Sequence, residues 1–216
     1  MGHQTAQPMA KMRQATPADI DGIMRVEEDW PESQRASRDK MLTRLAKFPE
    51  GFWVMESGGE IVGTLTSCLL RYDPGAKALK TWDQVTNNGY LHDIDRSTAN
   101  ALYMVSGSLK KEARGGTGYT LFIQPPIQLA ETLGLDYVLT GAKIPGYDAY
   151  CRRHGDVDAG QYAFLKLHGC LVDPFLEMYR GMGFTVPDRD HIIKDFYPDP
   201  PSRDYGAIVV RKIRKR

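Results

Sequence analysis

The 216 residues carry a net charge of +1, with 42 % hydrophobic and 25 % charged side chains, the composition of a soluble globular protein. Near-neutral charge gives no support for a polyanion partner, so nucleic acid is not expected. No apolar run approaches the roughly 20 residues needed to span a bilayer, and Met1–Ala10 lacks the pattern of a signal peptide, so no membrane association is expected. Cys68, Cys151 and Cys170 are odd in number and show no CxxC spacing. Reduced thiols and a cytoplasmic location follow as the expectation, with no metal site.

In chain order, Lys11 to Ala15 is short enough to be an edge strand. Thr16-Pro17-Ala18-Asp19 then supplies a cap, a proline suited to a first helical position and an acidic first turn. Ile20, Ile23 and Met24 recur behind it at helical spacing. A second helix is predicted over Ser37 to Lys47, with Met41, Leu42 and Leu45 on its apolar face and Pro49 beyond its end. Phe52 to Met55 and Ile61 to Leu70 read as strands of a hairpin closed by Ser57-Gly58-Gly59-Glu60.

Residues 71–99 are polar and turn-rich, long for a plain connection, and suit a functional flap. Ala101 to Leu109 reads as a strand. It is followed by a glycine-rich turn and an apolar-periodic stretch to Leu133, with Gly134 as its C-cap. Pro125-Pro126 inside that stretch predicts two helical pieces or a bend. Tyr137 to Ile144 is a further strand, and Asp173 to Met182 a short helix before Gly183-Phe184. His191 to Phe196 and Tyr205 to Ile213 close the chain as strands. The class is α+β with a mixed sheet, expected as one domain over 12–213 with an insert at 71–99, a flexible N-terminus at 1–11 and a basic tail at 214–216.

The segment Leu109 to Tyr147 carries the chemistry. A strand ends, the chain turns through Arg114-Gly115-Gly116-Thr117-Gly118, and a helix begins. Glycines permit close approach to a ligand, and the first amides of the helix point outward unpaired, which suits a pyrophosphate. A plain strand-to-helix turn reads equally well. The turn is not a Walker loop, because no Gly-Lys-Ser/Thr follows.

Leu109-x-Lys111-x-x-Arg114-Gly115 at this turn resembles motif A of the GNAT (Gcn5-related) acyltransferases, and Phe175 to Phe184 resembles the helix-then-Gly-Phe ending of motif B. Gly141 to Tyr147 and Trp82 to Tyr90 are similar to GNAT domains fused to carbon–nitrogen hydrolases. The resemblance covers roughly residues 12–213. It implies a mixed, mostly antiparallel central sheet flanked by helices, and acetyl-coenzyme A or another acyl-coenzyme A as co-substrate. It implies cofactor contacts from Leu109, Lys110, Lys111, Arg114, Gly115, Gly116, Thr117, Gly118 and Tyr119. With Arg114 leading the motif, Thr117 and Tyr119 stand at its two glycine positions. Sliding by one residue puts Gly116 and Gly118 there, with Ala113 replacing the basic residue.

Direct attack of an amine on a thioester asks the protein to position, deprotonate and protonate. The resemblance assigns the acid to Tyr179. Candidate bases are Glu28, His92, Asp93 and His154, or a water chain. Glu28, Tyr103, Ser106 and Tyr147 are expected to line the acceptor cleft, with residues 71–99 and 147–172 shaping it. The acceptor is expected to be a small-molecule amine. A homodimer, an acyl carrier protein as donor and a catalytically silent binding module stay open.

Overall fold

The computed structural model describes residues 10–75, 80–114 and 117–213. The basic tail, most of the expected flexible N-terminus, and Gly115 and Gly116 of the motif A turn lie outside the described residues.

The chain opens with the edge strand β1 (Lys11–Gln14). Arg13 on it donates to Glu56 (2.8 Å) and to Asp19 (2.8 Å), which together with Thr16 holds the Asp19 carboxyl down at about 2. A 3-10 turn at Pro17–Asp19 then leads into α1 (Ile20–Glu27). Helix α2 (Arg38–Lys47) is capped by the Ser37 hydroxyl, which accepts from the Lys40 amide. Its buried face differs from the expected one. Met41 and Leu45 are buried, but Leu42 is 41 % exposed, and Arg44 occupies the core-facing position. Hairpin strands β2 (Phe52–Ser57) and β3 (Glu60–Leu70) meet at Gly58 and Gly59, both with positive φ, the geometry of a tight two-residue hairpin.

The 71–99 insert carries a short helix, α3 (Trp82–Thr86), followed by Asn87, Asn88 and Gly89, all left-handed. These are residue types that reach positive φ at small cost. Strand β4 (Ala101–Leu109) leads through a 3-10 turn to α4 (Thr117–Thr132). Helix α4 runs unbroken across Pro125 and Pro126, so it is not the two separate pieces that the prolines allowed. Each proline lacks the amide for an i→i−4 bond.

Strand β5 (Tyr137–Lys143) follows, and beyond it lie α5 (Tyr147–His154), α6 (Ala159–Tyr162) and a small hairpin of β6 (Lys166–Leu167) and β7 (Cys170–Leu171). None of these four elements was expected. Helix α7 (Pro174–Gly181) begins at Asp173, whose carboxylate accepts from the Phe175 and Leu176 amides. Of the expected strand 191–196 only β8 (Ile192–Ile193) forms, and β9 (Gly206–Lys212) closes the sheet.

The seven-stranded sheet has the order β1-β2-β3-β4-β5-β9-β8, and only the β4–β5 pair is parallel. Alternation along β2 divides the layers. Phe52 and Val54 pack with α1 and α2, while Trp53 and Met55 join the main core, to which α4 brings Phe122, Ile123 and Ile127. Two aromatic rings pack directly against sheet glycines. A Cβ on Gly141 would stand 2.0 Å from the Phe196 ring, and one on Gly107 2.7 Å from Phe122. Gly141→Ala should therefore lower unfolding stability by about 1–3 kcal/mol through overpacking. Gly181→Ala, with open space around it, should be neutral or mildly stabilising. Denaturant titration of both variants checks the pair.

Candidate active site

The site begins where two strands part. β4 and β5 pair from Ala101–Tyr137 to Met104–Thr140 and no further. At that last rung the Thr140 hydroxyl donates to the Met104 carbonyl at 2.8 Å. Beyond it β5 stays with β9, and β4 stays with β3. The β3–β4 register shifts between Thr66 and Ser67, so Val105 bulges out of the ladder. Its carbonyl accepts from the Trp82 indole at 2.8 Å, which brings the insert onto the bulge.

The Lys110 amide donates to the Val62 carbonyl at 2.9 Å. Antiparallel alternation then turns the main-chain groups of Gly107 and Leu109 away from β3 and toward the gap. One of them is occupied: the Leu109 carbonyl accepts from Arg114 Nε at 2.6 Å. The same guanidinium reaches Asp29 at 3.3 Å. Gly118, in the first turn of α4, has a steric cause of its own, because a Cβ there would stand 2.4 Å from the Ala113 carbonyl oxygen.

A cavity of about 420 Å³ opens beside the parted strands. Its walls include Val105, Ser106 and Gly107 of β4, Thr140 to Lys143 of β5, Tyr179 of α7, and Trp82, Asp83 and Asn88 of the insert. Two buried charges face it. Arg44 is 2 % exposed; its Nε donates to the Gly89 carbonyl (2.7 Å), and its Nη1 donates to Ser106 Oγ (2.9 Å) and Thr66 Oγ1 (3.3 Å). Burial lowers this guanidinium to about 10. Glu27, the last residue of α1, is 3 % exposed and accepts from the Ala36 amide at 2.9 Å. Desolvation raises its carboxyl above the ordinary range, against the opposing effects of that amide and of Arg44. Lys143 also lines the cavity, but it is paired with Asp199 at 2.9 Å and lies over the rings of Trp30 and Tyr197.

The expected site residues divide. Tyr179 lines the cavity half-buried, edge-on to Phe184 at 5.7 Å between ring centres. Burial, with Tyr119 nearby, pushes its hydroxyl up to about 12. Ser106 lines the cavity as well. Leu109, Lys110, Lys111, Arg114, Gly118 and Tyr119 follow one another along the end of β4, the turn and the first turn of α4. Thr117 is the first residue of that helix.

Glu28 is exposed and does not line the cavity, whereas its neighbour Glu27 does. Tyr103 is buried in the main core and is not a cavity-lining residue. Tyr147 is a core aromatic whose hydroxyl donates to the Val157 carbonyl at 2.7 Å and whose ring packs on Tyr162 and Tyr205. His92 binds the Gln84 carbonyl, Asp93 pairs with Lys47, and His154 stacks on Tyr150, all outside the cavity. The insert helps to wall the cavity, but no residue of 147–172 does.

Glu27 and Arg44 were not singled out by the sequence reading, although a signal exists. Each stands in an apolar stripe, Glu27 after Ile20 and Ile23, and Arg44 between Met41 and Phe48. A charge inside such a stripe is either satisfied or functional. Among the described residues no group of three or more His, Cys, Asp or Glu side chains is placed to hold a metal ion, and no helix is long and apolar enough to cross a membrane.

No protein-family model matches the sequence. The chain is 26 % identical over 204 residues to the uncharacterized N-acetyltransferase YkwB of Bacillus subtilis, covering 92 % of this chain and 86 % of that one. It is 28 % identical over 169 residues to the probable hydrolase YhcX of the same organism, covering 78 % of this chain; the match spans only 32 % of YhcX. Among solved structures it superposes on the loading GNATL domain of CurA from Lyngbya majuscula with a TM-score of 0.79, at 20 % identity, covering 95 % and 98 % of the two chains. It also superposes on the GphF GNAT-like decarboxylase in complex with isobutyryl-CoA, with a TM-score of 0.75, at 24 % identity and 94 % and 100 % coverage. The chain thus has the fold of the GNAT (Gcn5-related N-acetyltransferase) superfamily.

Proposed function

We propose that this chain is an acyltransferase that moves an acyl group from a coenzyme A thioester to the primary amine of a small molecule by direct attack. The observation that carries the reading is the parted β4–β5 seam, which opens beside a cavity holding a buried carboxylate and a protonated tyrosine. The likeness to YkwB over most of both chains supports it, as does the acyl-coenzyme A bound to GphF on the same fold.

The residues present fit such a co-substrate. Gly107 and Leu109 offer main-chain groups along the open edge of β4, where a pantetheine arm would lie. The first turn of α4, with Thr117, Gly118 and Tyr119, offers unpaired amides and the positive end of the helix dipole to a pyrophosphate. Lys110 and Lys111 add positive charge to the connection between β4 and α4. Arg114 acts here as a strut between Leu109 and Asp29. When bound, the thioester supplies the activated carbonyl carbon.

Glu27 then serves as the base in place of Glu28. Desolvation raises the proton affinity of its carboxyl, the direction that favours taking a proton from an ammonium. Tyr179, held at about 12, stays protonated at working pH and donates to the departing sulfur.

Three outcomes are expected. Calorimetric titration with acetyl-coenzyme A should show micromolar binding; no binding at millimolar ligand would overturn the reading in favour of a carrier-protein donor or a silent module. Tyr179→Phe should keep that binding and lower kcat by about 10²-fold or more. The wild-type kcat should rise with pH through the raised Glu27 value and show no alkaline fall from Tyr179 below about pH 11.

Glu27→Gln should separate activity from stability. A carboxyl raised in the folded state adds stability only while protonated, and that contribution is lost as pH climbs through its folded value. The amide removes the buried charge, so the variant should match or exceed wild type in melting temperature at pH 8 while kcat drops by about 10²–10⁴-fold. Scanning calorimetry across pH alongside a thiol-release assay checks both halves.

A further inference from the structure

Arg44 and Glu27 face one cavity with opposite charge, yet no ion pair joins them. Each is pinned from behind. Ala36 holds Glu27 through its amide, while Gly89, Ser106 and Thr66 hold Arg44 through Nε and Nη1. The Gly89 carbonyl is itself delivered by three consecutive left-handed residues. Two buried charges free to move would close on each other, because an uncompensated charge in a low-dielectric site is costly. Here the fold keeps them apart.

Arg44 Nη2 has no acceptor among the described residues, although the side chain lines the cavity. The other cations of the wall are engaged or shallow. Lys143 is paired with Asp199, Lys40 is half-exposed, near Asn88 and over the Tyr90 ring, and Arg35 is exposed and donates to the Trp30 and Glu28 carbonyls. Arg44 is therefore the deep cation with a donor group to spare, Nη2, and a charge-assisted N–H···O bond from it suits a carboxylate oxygen. Through Ser106 it stands next to the Val105 bulge, beside the open edge of β4.

Resting on the acyltransferase reading above, we infer that the acceptor is a zwitterion, a free amino acid whose carboxylate is bound by Arg44 and whose ammonium faces Glu27. The separated charges of the cavity are the inverse of the ligand's own. About 420 Å³ lies toward the small end of ligand sites and suits an amino acid next to the reacting end of a thioester. Trp30, Tyr197 and Tyr205 on the wall favour an apolar or aromatic side chain. Transfer forms the C–N bond of an N-acyl amino acid and breaks the thioester C–S bond. Glu27 takes one proton from the ammonium, the sulfur takes a proton from Tyr179, and the second nitrogen proton restores Tyr179. One proton is released overall.

The test is calorimetric titration of the full chain, with and without coenzyme A, using L-leucine, L-methionine and L-phenylalanine. Each is paired with its decarboxylated amine: isoamylamine, 3-(methylthio)propylamine and phenethylamine. At least one amino acid should bind 10- to 100-fold more tightly than its amine, the strength of a charge-assisted pair in a closed site. Arg44→Met should erase that difference, with folding checked by circular dichroism. Glu27→Gln should weaken the amino acid and the amine alike. Equal binding within each pair, or no binding of any amino acid, overturns the inference even if acetyl-coenzyme A binds. Tighter binding of malonyl-coenzyme A than of acetyl-coenzyme A, without any amino-acid preference, would assign Arg44 to the acyl group and overturn it as well. Failure of the acyltransferase reading would register separately, as loss of acetyl-coenzyme A binding.

Discussion

The site depends on one break in an otherwise continuous sheet, the parting of β4 and β5 beyond Met104 and Thr140. Strand edges in a sheet interior normally satisfy each other, and an open edge needs support from elsewhere. Three contacts supply it here. The Thr140 hydroxyl closes the last rung. The Trp82 indole takes the carbonyl of the Val105 bulge. Phe196 lies over Gly141 of β5 and Gly206 of β9, so that β5 stays bound to β9 as it turns from β4. What faces the gap along β4 is the main chain of Gly107 and the amide of Leu109, whose carbonyl is taken by Arg114.

The insert at 71–99 is tied into the same arrangement by two of its residues. Trp82 braces the bulge, and the Gly89 carbonyl receives the guanidinium of Arg44. Arg44 in turn connects α2 to β3 through Thr66 and to β4 through Ser106. A long polar loop with a buried arginine as its counterpart gives the cavity a wall that plain sheet and helix would not provide. The glycine at 89 is required twice, by its positive φ and because a Cβ there would stand 2.7 Å from Arg44 Nη2.

Burial sets the chemistry of the cavity more than any single contact does. The Glu27 carboxyl is raised, the Arg44 guanidinium is lowered and the Tyr179 hydroxyl is raised, each mainly by desolvation. Groups whose proton affinities are shifted in this way within one cleft are the usual raw material of acid–base work. The same burial that makes Glu27 costly as an anion makes it receptive to a proton.

Local sequence determined the strands and helices that bear strong signals. The Gly58-Gly59 turn and the run Ala101 to Leu109 form as read, and the helices predicted from Ser37 and Asp173 form one residue later, with those two residues as their caps. The strand-to-helix passage from β4 to α4 and the short helix that bears Tyr179 were likewise legible as elements, because their spacing survives in the chain itself. Glu27, Arg44 and the bracing role of Trp82 were not. Their roles arise from partners 9 to 62 residues away, and helical periodicity alone placed Leu42 inward where Arg44 lies. Tyr147 and Tyr103 carried functional chemistry in their residue type, but packing turned both into the core. A side chain's identity and its local element are properties of the sequence. Whether that side chain meets solvent, core or cavity is decided only when distant elements close around it, since burial, and the charge shifts that follow from it, belong to the packed whole.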